Sequence, residues 1–140
     1  MRYLADTSAL QRLEHPAVEP VLGPMIEAGH VSICPVTELA VLHAARNLAD
    51  YEAAAERFRM SFVWVHVPDR GWLRAAEIQH ELARQGRHRE VSIPDLLLAV
   101  TAEHHGLTLL HYDHDFDRIA DITNQPTRWV VPPGTADLPS

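Results

Sequence analysis

Four carboxylates recur at comparable points along this 140-residue chain: Asp6, Glu38, Asp95 and Asp113, the last followed by Asp115. Asp6 comes just after a short apolar run, Glu38 falls in the first turns after a second run, Asp95 stands at the start of a strongly apolar helix, and Asp113 follows a third run. In an open parallel sheet, positions just past the strands gather at one edge, where such folds bind ligands. Carboxylates brought together there repel one another unless a cation joins them. An all-oxygen ligand set favours magnesium or manganese, held through a few carboxylates and a substrate phosphate. Such an ion lowers the pKa of bound water and stabilises a departing oxygen, so phosphodiester hydrolysis needs no covalent nucleophile. Taken singly, each acid has a plainer reading. Asp6 and Asp95 suit helix caps, Glu38 offsets a helix dipole, and Asp113, Asp115 and Asp117 form a solvated turn. The joint pattern favours the metal reading, because a capping acid has no need to follow nearly every strand.

The elements that must position these acids are legible in hydrophobic periodicity. Strands are expected over residues 2–5, 31–34, 62–67 and 107–111, with a last one at 129–131. Helices are expected from Asp6-Thr7-Ser8 through Leu13, then over 16–28, from Pro35 to about Asn47, and over 51–60, 71–85, 92–105 and 116–122, with Gly29 and Gly106 as stops. Strands alternating with helices predict a three-layer α/β/α fold with a short, mainly parallel central sheet. The length fits one domain, over residues 1–131, followed by an irregular tail at 132–140 that contains Pro-Pro-Gly.

Composition bounds the partners. Twelve basic residues, all Arg, stand against nineteen acids for a net charge of −7, the wrong sign for binding nucleic acid by charge alone. Arg suits bidentate phosphate contacts, the ten His gain charge toward pH 6, and metal neutralises clustered acids. Arg87 and Arg89, in the polar loop before Asp95, are candidates to touch RNA phosphates, with simple solvation as the plainer reading. Cys34 is the single cysteine, so no internal disulfide framework exists and a reducing, cytoplasmic setting is expected. No signal peptide or membrane span is expected. Trp64, Trp72 and Trp129 suit core or interface roles better than base stacking.

The motifs around the acids resemble the PIN domains, and within them the VapC-type toxins of bacterial toxin–antitoxin pairs. Tyr3-Leu4-Ala5-Asp6-Thr7-Ser8-Ala9-Leu10 is similar to that family's opening strand and Asp-Thr-Ser element. Pro35-Val36-Thr37-Glu38-Leu39 resembles the second acidic motif, Ser92-Ile93-Pro94-Asp95-Leu96-Leu97-Leu98-Ala99 the third, and Leu109-Leu110-His111-Tyr112-Asp113-His114-Asp115-Phe116 the fourth. The resemblance spans nearly the whole chain. It implies a PIN-like fold and an Mg2+- or Mn2+-dependent endoribonuclease with Asp6, Glu38, Asp95 and Asp113 as catalytic metal ligands. Asp115 is implied as an accessory ligand, with Thr7 and Ser8 in support. It also implies a homodimer and an antitoxin that covers the acids. Val18, Leu22, Met25, Val41 and Leu42 serve such an interface or the core. His111 departs from the family's usual Thr or Ser two residues before the final Asp. It either supports Asp113 through a ring nitrogen or packs.

Two rivals remain at this level. A response-regulator receiver needs a late Lys, and this chain has none. A degenerate PIN-like module would bind RNA or protein without cutting.

Overall fold

The computed structural model describes residues 2–139. Five short parallel strands run in the order β3-β2-β1-β4-β5, with β1 Tyr3–Ala5 at the centre, flanked by β2 Val31–Ile33 and β4 Thr108–His111, and with β3 Val63–Trp64 and β5 Thr127–Trp129 at the edges. All four pairings are parallel, from Ser32 against Val63 at one edge to His111 against Trp129 at the other. The sheet therefore winds outward in both directions from β1, and the crevice between β1 and β4 is its switch point.

Strand alternation splits the apolar residues between two cores. Leu4 and Leu109 face one layer, where they pack with Ile78 and Leu82 of α5 (Gly71–Arg84), with Leu96 to Ala102 of α6 (Ile93–His105), and with Phe116 and Ile119 of α7 (Asp115–Thr123). Tyr3, Ala5, Val31 and Leu110 face the other, against Ala9 of α1 (Thr7–Leu10), Leu22 of α2 (Glu19–Glu27) and the C-terminal residues Val130, Val131 and Ala136. This is the expected three-layer arrangement. The helices α3 (Pro35–His43) and α4 (Leu48–Ser61) complete the chain.

Local chemistry explains where the site-bearing helices start and stop. Pro35 opens α3 at a position that needs no N–H donor. Ser92 caps α6 by accepting the Asp95 N–H at 3.3 Å, and Gly106 ends it at φ 66°, a left-handed conformation that glycine adopts without strain.

Several boundaries move from the expected ones. The alternating run 62–67 pairs only at Val63–Trp64, because β3 is an edge strand with a single neighbour. The last strand is Thr127–Trp129, earlier than the apolar run at 129–131. Val130 and Val131 lie beyond the strand, buried in the second core. The helix expected to run to about Asn47 stops at His43, since the Asn47 side chain caps α4 by accepting the Asp50 N–H at 2.9 Å. No helix among the described residues is long and apolar enough to cross a membrane.

Candidate metal centre

Each acid reaches the carboxyl edge of the sheet on a different element. Asp6 leaves β1 with its N–H bonded to Leu110 O of β4 at 2.9 Å, which sets it at the switch point. Its Oδ2 accepts from both the Ser8 N–H (3.0 Å) and the Ser8 hydroxyl (2.6 Å). Asp6 is thus the N-cap of α1, as its plainer reading held, and is also aimed by that cap. Ser8 Oγ in turn accepts the Tyr112 N–H at 2.9 Å, so one hydroxyl links the ends of β1 and β4. Thr37, fully buried in the first turn of α3, donates to Ala5 O at 3.2 Å and ties that turn beneath Asp6.

Asp113 follows β4. His111 fills the place behind it, its Nδ1 accepting the Asp113 N–H at 3.1 Å. That bond fixes the proton of the neutral ring on Nε2, which is buried and has no partner. Burial pushes the His111 imidazole down to about 4, against the weaker pull of Asp117 and Asp113, so the ring is neutral near pH 7. Both readings of this residue therefore apply, since the ring also packs 5.0 Å from Phe116 and 5.0 Å from Trp129. Asp113 Oδ1 accepts the Asp115 N–H at 2.9 Å, and Asp115 Oδ1 accepts from Arg118 at 2.6 Å.

Asp95, 9% exposed, projects from the first turn of α6. Ligand oxygens of Asp95, Asp113 and Asp115 lie within 4.8 Å of one another, close enough to share one ion. Electrostatics register the crowding. Burial, then the charges of Asp6 and Asp113, push the Asp95 carboxyl up to about 8. Without metal it holds its proton at neutral pH and shares a hydrogen bond with Asp115. Burial also raises Asp6, against its Ser8 bonds, and raises Asp115, against Arg118. An oxygen-only donor set that retains a proton for lack of positive charge fits a hard divalent cation.

The structure brings Asp95, Asp113 and Asp115 into one cluster and couples Asp6 to it by charge, while Glu38 lies outside that tight group, half-buried in the first turn of α3. Thr7 contributes its backbone N–H toward Asp6. Arg87 is engaged by Glu90 at 3.1 Å and by Gln85 at 3.5 Å, and Arg89 is exposed. Arg118 was not singled out from the sequence. It bridges Asp115 and Glu90 (3.5 Å), and its only sequence signal was a basic residue one helical turn beyond an acid. Tyr112 carries no sequence signal of its own beyond its place in the fourth motif, although its N–H meets Ser8. Cys34 is fully buried, and Trp72 lies 62% exposed on α5.

The family model described as PIN domain matches residues 3–122. The chain is 47% identical to Ribonuclease VapC21 of Mycobacterium tuberculosis over 96% of its length and 98% of that protein. It is 42% identical to Ribonuclease VapC51 of the same organism, over 98% of each. Among solved structures, the fold is similar to VapBC2 from Rickettsia felis bound to a promoter DNA fragment, at a TM-score of 0.73 and 17% identity, with 91% of this chain and 98% of that one covered. VapBC-1 from nontypeable Haemophilus influenzae gives a TM-score of 0.73 at 17% identity, with 93% and 98% covered.

Proposed function

Because the chain belongs to the PIN-domain family and, within it, to the VapC ribonucleases, we propose that it is a divalent-metal-dependent endoribonuclease and the toxin of a toxin–antitoxin pair. The observation that carries the reading is the charge-frustrated cluster of Asp95, Asp113 and Asp115 beside Asp6, which retains a proton at neutral pH in the absence of a cation.

Asp6, Asp95 and Asp113 would hold the ion, magnesium or manganese, joined by Asp115 of the same cluster, with Glu38 at the margin of the site. Bound there, the ion supplies Lewis acidity toward the scissile phosphate and a water of lowered pKa. The protein supplies the rest. One oxygen of each of Asp6, Asp113 and Asp115 is tied to a donor of this chain, which fixes the carboxylate plane and leaves the second oxygen for a cation. Asp95 would give up its proton to a cation bound there, so binding would release protons and tighten as pH rises toward about 8. Ser8 and His111 hold Asp6 and Asp113 in register from behind. Arg118, bonded directly to Asp115, and the exposed Arg89 are the side chains offered to an RNA backbone approaching the acids.

The partner reading draws on the fold neighbours, which include VapBC complexes from Rickettsia felis and Haemophilus influenzae. An antitoxin that inserts a cation among these acids would satisfy the same unmet charge as the metal, and the net charge of −7 suits a basic partner segment. A homodimer in a cytoplasmic setting completes the proposal.

The test is cleavage of total cellular RNA by antitoxin-free protein with Mg2+ or Mn2+, beside EDTA and the variants Asp6→Asn and Asp95→Asn. Cutting that requires metal and disappears in both variants is expected, as is growth arrest on expression without antitoxin. Folded, metal-loaded protein that leaves RNA intact would move the reading to a binding module.

A further inference from the structure

The C-terminal segment folds back onto the residue that precedes Asp113. The Tyr112 hydroxyl makes three bonds with it, donating to Asp137 Oδ1 at 2.7 Å and accepting the N–H groups of Gly134 (2.8 Å) and Ala136 (3.0 Å). Arg12 closes the same junction from the other side. Its guanidinium lies 4.4 Å from the centre of the Tyr112 ring, its Nε donates to Ala136 O at 3.0 Å, and its Nη1 donates to Ser8 O at 2.7 Å. Ala136 is fully buried beneath these contacts. Covering an apolar patch would not call for a hydroxyl with three partners and an arginine with three more.

The residues so joined are the ones that aim the acids. The Tyr112 N–H bonds Ser8 Oγ, and the Ser8 hydroxyl bonds Asp6 Oδ2, while Tyr112 is joined directly by its peptide bond to Asp113. A connected chain of hydrogen bonds therefore runs from the C-terminal segment through Tyr112 and Ser8 to Asp6, and Arg12 holds Ser8 from behind. We propose that Tyr112 is a positioning residue for the acidic centre, and that residues 132–137 form a clasp which, through Tyr112, Ser8 and Arg12, holds Asp6 and Asp113 at the separation a divalent ion requires. The proposal rests on the metal reading given above.

The test is calorimetric titration of Mn2+ into metal-free, full-length protein, comparing wild type with Tyr112→Phe and Asp6→Asn. Tyr112→Phe keeps the ring under Arg12 and removes only the hydroxyl. It is expected to bind Mn2+ about tenfold more weakly, the effect of roughly one hydrogen bond passed on to the site. RNA cleavage should fall at limiting Mn2+ and return to the wild-type rate at saturating Mn2+, with KM for RNA unchanged. Asp137→Ala, at an exposed position, removes one of the three contacts and should give a loss of about threefold in Mn2+ affinity, which keeps the test alive if the first variant does not fold. A lower melting temperature with unchanged Mn2+ affinity would make the clasp a purely structural feature and overturn the proposal. Absence of Mn2+ binding by wild type, or equal binding by Asp6→Asn, would instead defeat the metal reading and the role of the clasp with it.

Discussion

Replacing Asp95 by Asn should stabilise the metal-free protein while ending its response to divalent ions. The Asp95 carboxyl is pushed up to about 8 in the folded chain, by burial first and then by Asp6 and Asp113, from 3.8 when free. Between these values the folded state holds a proton that the unfolded state releases, so stability falls as pH rises from about 4 to about 8. The gap is about four units at ~1.4 kcal/mol each, a ceiling that water entry and adjustment of the neighbouring acids reduce to an expected ~2–4 kcal/mol. Asn cannot ionise, is nearly isosteric, and keeps the backbone N–H that Ser92 accepts. In EDTA, the melting temperature of Asp95→Asn relative to wild type should be raised only slightly near pH 4.5, and the difference should grow to roughly 5–12 °C by pH 8. His111 acts in the opposite sense. Its folded value of about 4 lies below its free value of 6.5, so its contribution is lost as pH falls through that window. It is present in both proteins and cancels in the difference. Melts followed by circular dichroism from pH 4.5 to 8.5, repeated with millimolar Mn2+, would decide the matter. A difference that stays flat with pH would refute the idea that Asp95 is held protonated by its neighbours, and Mn2+ stabilisation of the variant equal to that of wild type would refute its place as a ligand.

Ser8→Ala removes both the 2.6 Å bond to Asp6 and the acceptor for the Tyr112 N–H. It should cost ~1–3 kcal/mol in urea unfolding and weaken Mn2+ binding about tenfold, as read by calorimetry. His111→Leu leaves the Asp113 N–H without its acceptor. The expected result is a fall of about tenfold in kcat for RNA with little change in KM, partly recovered by His111→Asn. Arg118→Gln takes away the cation 2.6 Å from Asp115. Because the pair is partly exposed, stability should change by less than ~1 kcal/mol, while Mn2+ affinity should rise severalfold as a competing positive charge is lost. A fall in affinity would mean instead that Arg118 matters chiefly for holding Asp115 in place.

Asp6 and Asp95 are legible because each lies next to a local signal, whereas Glu38, which the sequence sets beside them, falls outside the tight cluster. Asp6 follows an apolar run and precedes a Ser two residues on, and Asp95 sits behind a Ser-x-Pro start. Central strands and long amphipathic helices were equally plain, since their periodicity is imposed by the core they face. Edge strands were not. Nothing in 62–67 says that the strand will end after Val63–Trp64, and Trp129-Val130-Val131 looks like a strand although its valines lie past the last strand residue, buried in the second core. The bonds of Tyr112 with Gly134, Ala136 and Asp137, and of Arg12 with Ala136, join residues more than twenty positions apart, and no spacing rule exposes them. His111 lay between. The alternatives for it were legible, but that one ring serves both required knowing where the Asp113 N–H points.

From Asp95 to Ala102 every residue of α6 is buried, so the helix that presents the central acid is also the spine of the larger core. Amides along such a segment exchange with solvent only when the whole domain opens, in contrast to the loops that gate many enzymes. Asp95 is therefore held by the domain core and not by a loop that could swing away. An occupant that neutralised this acid from outside, as the proposed antitoxin would, could leave without the helix that carries it having to refold.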